Sequence, residues 1–167
     1  LLQGITNYQR HVFWQDIEIS NTRLVHQSFK VQQQIIRQQP EWLLIQQKCY
    51  QQGRNLGGAP WLCHPKKSMP IGLRIPHILW RCQCVLFLER QPLQSEFPVS
   101  LLRREFINEG RWLAVDERLI KYIVNQFIIE LVVNQILISQ KKGVLRLICY
   151  PQWYADWQVK TNSLKLN

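Results

Sequence analysis

The chain predicts an α+β fold, an antiparallel sheet with flanking helices in a single domain over residues 1–167. Three stretches carry this expectation. "FWQDIEIS" places Phe13, Gln15, Ile17 and Ile19 on one side at a two-residue period, and "HILWRCQCVLFLER" aligns Trp80, Cys82, Cys84, Leu86 and Leu88 in an unbroken apolar row. "DERLIKYIVNQFIIE" instead spaces Ile120, Ile123, Val124, Phe127 and Leu131 as the wide stripe of a helix.

The elements follow in order. Residues 11–36 are expected to form a β-hairpin, with a turn through Ser20-Asn21 and a second strand carrying Phe29, Val31 and Ile35, although the Gln32-Gln33-Gln34 run also suits a helix. "PEWLLIQQKCYQQG" predicts a helix over 40–52. Pro40 loses no hydrogen bond at the first position, Glu41 suits the positive end of the dipole, and Gly53 supplies a left-handed cap. From Gly53 to Pro76 lie four of the seven glycines and four of the eight prolines, which predicts a long loop. Residues 77–89 are expected as the clearest strand. "PVSLLRREFINEG" predicts a short helix over 99–109 closed by Gly110, and Asp116 is a good N-cap for a helix over 116–130. The β-branched run of 131–150, broken by Lys141-Lys142-Gly143, predicts a hairpin, with continuation of the helix to about Ser139 as the alternative. No internal repeat is visible.

A chain of 167 residues with 46% hydrophobic content can bury a sizeable core, so a wholly disordered state is not expected. Lys and Arg outnumber Asp and Glu by 21 to 11, a net charge of +10 that resists compaction and points to an anionic partner. The basic residues are dispersed, with Lys66-Lys67, Arg103-Arg104 and Lys141-Lys142 as the adjacent pairs, so a phosphate-binding surface has to be assembled by folding. No apolar run reaches the length of a membrane span. The longest, "FIIELVVNQILI", carries Glu130, Asn134 and Gln135. The chain opens on Leu1 instead of Met, which is compatible with a processed start.

Five cysteines without regular spacing favour reduced thiols in an intracellular compartment, cytoplasm or organelle. Zinc sites pair their ligands across tight turns, whereas here Cys63 and His64 are adjacent, His77 is distant, and Cys82 and Cys84 share one side of an apolar row. Core packing is the expectation for Cys82 and Cys84, and Cys63-His64 reads as two loop residues. Asp16 and Glu18 could hold a divalent ion but read as a solvated strand face. "GRNLGG" lacks the Lys-Ser/Thr of a phosphate loop, and no nucleophile elbow or His-Glu-x-x-His run occurs. No specific catalytic motif is found and no cofactor is expected.

Basic and aromatic residues interleave at Trp80-Arg81, Arg111-Trp112 and in "WYADWQVK", a combination that stacks unpaired bases while cations hold phosphates. Trp80 is expected in the core. The first expectation is therefore a non-enzymatic basic module that binds nucleic acid, RNA favoured, as a subunit of a larger assembly. Lys66, Lys67, Arg74, Arg103, Arg104, Arg111, Lys141, Lys142 and Lys160 are the candidate phosphate contacts, and Trp153 and Trp157 the candidate stacking platforms.

Three segments, "LLQGITNYQR", "WRCQCVLFLERQPL" and "KKGVLRLICYP", together about a third of the chain, give it a resemblance to the chorismate lyase-like family. That resemblance implies an antiparallel sheet with flanking helices and a pocket in which Arg81 binds an anionic ligand, hence a small-molecule enzyme or sensor. The glutamate expected on the closing strand is missing, with Ile148 and Cys149 near its place. A third expectation is a protein-interaction subunit with an acidic partner.

Overall fold

A computed structural model describes residues 20–66, 73, 75–110 and 116–164. The elements are α1 (Asn21–Ile36), α2 (Pro40–Gln51), two 3-10 turns (Leu56–Gly58 and Trp61–Cys63), α3 (His77–Glu89), β1 (Glu96–Pro98), α4 (Val99–Gly110), α5 (Glu117–Val133), β2 (Leu137–Lys141), β3 (Val144–Leu147) and α6 (Trp157–Ser163). Six α-helices and one antiparallel sheet of order β1-β3-β2 thus occupy the described residues, which bears out the α+β expectation.

The predicted hairpin at 11–36 is not formed where the chain is described. Residues 11–19 lie outside the described residues, and from Asn21 onward the chain is helical. Ser20 explains the start, because its Oγ accepts from the Arg23 N–H. Leu24, Ser28 and Val31 are buried and Ile35 packs beside them, a four-three-four spacing with a serine hidden in it. Phe29, assigned to the same strand face as Val31, is 43% exposed. Gln38 adopts φ +55° and turns the chain into Pro40, the first residue of α2. The helix at 40–52 forms essentially as expected, with Gly53 at φ +70° beyond its end.

The segment 77–89 is a helix and not the predicted strand. Every residue from Ile78 to Leu86 is buried, including Arg81 and Gln83, which the strand reading placed on an outer face. A helix surrounded by protein needs apolar material all round and therefore has no period to read. This is the situation of α3, which packs against α2, α4 and the Trp61–Cys63 turn. Trp80 meets Phe127 of α5 edge-on at 5.3 Å, and Phe87 meets Phe106 of α4 at 6.1 Å.

The helices at 99–109 and 116–130 are present, α5 running on to Val133 with Asp116 as its cap, Oδ1 accepting from the Arg118 N–H at 2.8 Å. Gln135, at φ +58°, redirects the chain into the predicted hairpin, whose turn places Gly143 at φ +76°. Of the three segments expected to build the sheet, only 131–150 contributes strands among the described residues. Its outer partner is Glu96–Pro98, paired antiparallel with β3 so that Phe97 faces Leu145. The carboxy-terminal segment returns to the 53–66 loop, where the Tyr154 N–H donates to Gly58 O at 2.9 Å and Asp156 caps α6 through the Val159 N–H.

Candidate nucleic-acid interface

From α3 onward the order is helix, strand, helix, helix, hairpin, and these elements bring together several of the predicted cations. Helices α4 and α5 pack through Phe106 and Phe127, with ring centroids 6.0 Å apart, and the Arg103 Nε donates to Asn125 Oδ1 at 2.7 Å. Ile120, Ile123, Val124, Phe127, Ile128 and Leu131 turn inward. Arg118 and Lys121 are exposed, and Asn125 is half-buried a turn farther along the same side. The β2–β3 tip carries Lys141 and Lys142, both exposed. A backbone bond from the Val99 N–H to Gly143 O, 2.9 Å, fixes this tip beside the first turn of α4.

Arg104 is 67% exposed and meets Glu105 at 3.5 Å, and Lys121 is 55% exposed and meets Glu117 four residues earlier at 3.5 Å. Exposed pairs of this length bind weakly and leave the cations available to a stronger anion. Arg118, Lys141 and Lys142 have no ion-pair partner among the described residues.

The other predicted site residues scatter. Lys67, Arg74 and Arg111 lie outside the described residues, as do Asp16 and Glu18. Lys66 is exposed in the loop that follows the Trp61–Cys63 turn. Trp153 packs against the core with the Arg54 guanidinium 5.7 Å above its ring, and Trp157 meets Phe29 edge-on at 5.9 Å, so both rings are engaged within the chain.

Lys160 corrects the expectation most sharply, since it is 1% exposed and cannot stand on a solvent-facing surface. Its Nζ lies 2.6 Å from His64 Nε2 and 4.6 Å from the centre of the Trp61 ring. Burial lowers its pKa to about 8, so at neutral pH it remains an ammonium donating to a neutral imidazole. Burial also holds the His64 pKa well below its ordinary value, reinforced by the charges of Lys160 and then Arg81. Cys63 and His64 are therefore buried residues of a packed nest and not open loop residues.

The thiols share this interior. Cys49 and Cys82 approach to 3.7 Å between sulfurs, and hydrogen bonding with Cys49 and Cys63, joined by burial, pushes the Cys82 pKa well up. Burial does the same to Cys84. Protonated, enclosed thiols are poor nucleophiles, so this arrangement serves packing. All five cysteines are free, and among the described residues no group of three or more His, Cys, Asp or Glu is placed to hold a metal.

Arg81 is not in an open pocket. Its guanidinium forms a two-pronged pair with Glu130 of α5, at 2.6 and 3.0 Å, donates to Leu62 O at 3.0 Å, and lies 4.9 Å from the Phe127 ring centre. The segment whose resemblance assigned it to a strand and an anionic ligand is helical, with the ligand's place taken by an internal carboxylate.

Arg118 and Lys121 are absent from the cations singled out in the sequence, although they lie on the exposed complement of the apolar stripe that defines α5. Charge is also unevenly distributed. Residues 20–66 carry Arg23, Lys30, Arg37, Lys48, Arg54 and Lys66 against Glu41 alone, whereas in 75–110 four arginines face four glutamates. Among the described residues no helix is long and apolar enough to cross a membrane. No family model, no curated protein and no solved structure matches the chain.

Proposed function

We propose that the chain is a non-enzymatic DNA-binding module, a subunit of a nucleoprotein assembly, that grips duplex DNA through α4, α5 and the β2–β3 hairpin in the manner of a winged helix–turn–helix. The observation that carries this reading is the topology. A helix and short strand precede two packed helices, and the strands that follow close a sheet of order β1-β3-β2 with a lysine-bearing tip held beside α4. In such an arrangement the second helix of the pair enters the major groove and the flanking elements meet the backbone. Here α5 is the groove-facing helix, and its exposed Arg118 and Lys121 join Arg103, Arg104, Lys141 and Lys142 as phosphate contacts around it.

Charge and interleaved aromatics alone favoured RNA. The paired helices shift support to DNA, because the major groove of B-form DNA admits a helix while that of A-form RNA is too narrow for side chains to read. The engagement of Trp153 and Trp157 within the chain weakens the single-strand alternative, which relies on open aromatic faces.

The test is a salt titration of binding to a random-sequence DNA duplex, single-stranded DNA and an RNA duplex. The expected result is a preference for duplex DNA with a steep loss of affinity as salt rises, and a salt slope shallower by about 2 in the Arg118→Gln/Lys121→Gln variant. No binding at low salt, or an unchanged slope in the variant, would refute the proposal.

A further inference from the structure

We infer that α1 is a second nucleic-acid contact, a sequence-independent phosphate-binding face lying outside the α4–α5–hairpin grip. The inference rests on the preceding section only for the identity of the polymer. It starts from spacing. Arg23, Gln27, Lys30, Gln34 and Arg37 follow one another at intervals of four, three, four and three residues, which places the first four along one side of the helix and Arg37, its C-cap, at the end of the same line. The stripe lies beside the buried row of Leu24, Ser28 and Val31. Arg23, Lys30 and Arg37 are exposed, and the two glutamines between them are half-buried.

Three observations separate this stripe from an ordinary solvated helix face. The first is the absence of any carboxylate from Ser20 to Pro40, in a chain whose helices α4 and α5 intersperse both signs. The second is that none of the three cations has an ion-pair partner among the described residues, whereas Arg54, Arg90 and Arg146 are paired with Glu89, Glu109 and Glu96. The third is the position of Arg23. It lies in the first turn, where a cation opposes the helix dipole and no acidic residue offsets it. A cost accepted within the fold is offset by an anion supplied from outside.

The dimensions suit a phosphate backbone. Arg23 and Arg37 are fourteen positions apart, about 21 Å along the helix, with Lys30 midway. Measured along the duplex axis, that length corresponds to about six base-pair steps, where the charges of one strand recur every ~3.4 Å. The interposed glutamine amides are donors of the kind that bond phosphate oxygens and read no sequence. A run of fixed charges along a line matches a polyanion with regular charges better than an acidic protein surface with irregular ones.

The test compares the triple variant Arg23→Gln/Lys30→Gln/Arg37→Gln with wild type and with Arg118→Gln/Lys121→Gln, on a random DNA duplex between 50 and 200 mM salt. Three lost contacts make the salt slope shallower by about 2.7, so the wild-type advantage over the triple variant shrinks roughly 40-fold across that range. The gain-of-charge variant Gln27→Lys/Gln34→Lys is expected to steepen the slope, which keeps the test open if the triple variant is poorly behaved. A wild-type slope in both α1 variants beside an impaired Arg118/Lys121 variant overturns the inference and leaves the α5 reading standing. A shallower slope in the triple variant beside a wild-type Arg118/Lys121 variant supports the inference and overturns the α5 reading. Binding by α1 to polyglutamate in preference to DNA overturns it in favour of an acidic protein partner.

Discussion

Enclosure of the Lys160 ammonium makes native stability depend on pH. Burial takes its pKa from the ordinary 10.5 to about 8, with the neighbouring Cys63 and Cys82 pulling slightly in the other direction. Below pH 8 both folded and unfolded chains hold the proton, and the cost of enclosing it is fully present. Between pH 8 and 10.5 the unfolded chain keeps the proton and the folded chain releases it, so native stability rises with pH. At about 1.4 kcal/mol per pH unit the total gain is roughly 3 kcal/mol.

Other groups titrate in the same window, notably the buried thiols, whose raised pKa values work in the opposite direction. Comparison with Lys160→Met removes them, since the variant keeps the same thiols and much of the same aliphatic packing. Urea unfolding of both proteins is followed at pH 7, 8, 9 and 10. The stability difference, wild type minus variant, should climb by roughly 2–3 kcal/mol between pH 7 and 10, almost all of it above pH 8. Parallel profiles would refute the reasoning, because they would mean that Lys160 titrates alike in both states and is not enclosed as described.

Two further pairs of substitutions probe the frame of the fold. Glu130→Gln removes the counter-charge of Arg81, which is fully buried, and is expected to cost about 3 kcal/mol or more in urea unfolding. Arg81→Met should cost less, because the Glu130 side chain is already 32% exposed and can turn to water, and the reverse order would contradict the account. Gly58→Ala would set a Cβ 2.0 Å from Tyr154 O and is expected to lower stability by about 3 kcal/mol or more. Gly143→Ala meets only open space at φ +76° and should lose about 1 kcal/mol, both read from thermal unfolding.

The parts of the fold legible in the sequence were those with local punctuation. Pro40 and Gly53 bracket α2, Asp116 opens α5, and Lys141-Lys142-Gly143 turns the hairpin, each through chemistry confined to a few neighbours. The parts that were not legible depend on surroundings. In α3 burial on every side erases the helical period, and the leftover alternation of Cys82 and Cys84 with Arg81 and Gln83 imitates a strand. In α1 a serine occupies a core position, and in α6 the buried positions are Lys160 and Thr161, so a hydrophobic pattern is missing where burial is deepest. The strand β1 spans three residues and owes its form to β3.

The candidate site divides along the same line. Lys141 and Lys142 are recognisable because a turn must be exposed, and Arg118 and Lys121 because an apolar stripe implies its opposite. Lys160 reads as a surface cation until the Trp61 ring and His64 close over it.

The mooring of the hairpin tip has a consequence for association. The Val99–Gly143 backbone bond, together with the pairing of Pro98 and Val144, fastens the two tip lysines to the base of a neighbouring helix before any partner arrives. A free hairpin would have to surrender its swinging motion on each encounter, and that loss of conformational freedom would subtract from affinity. Anchored in this way, the tip would meet the proposed duplex with that freedom already given up at folding.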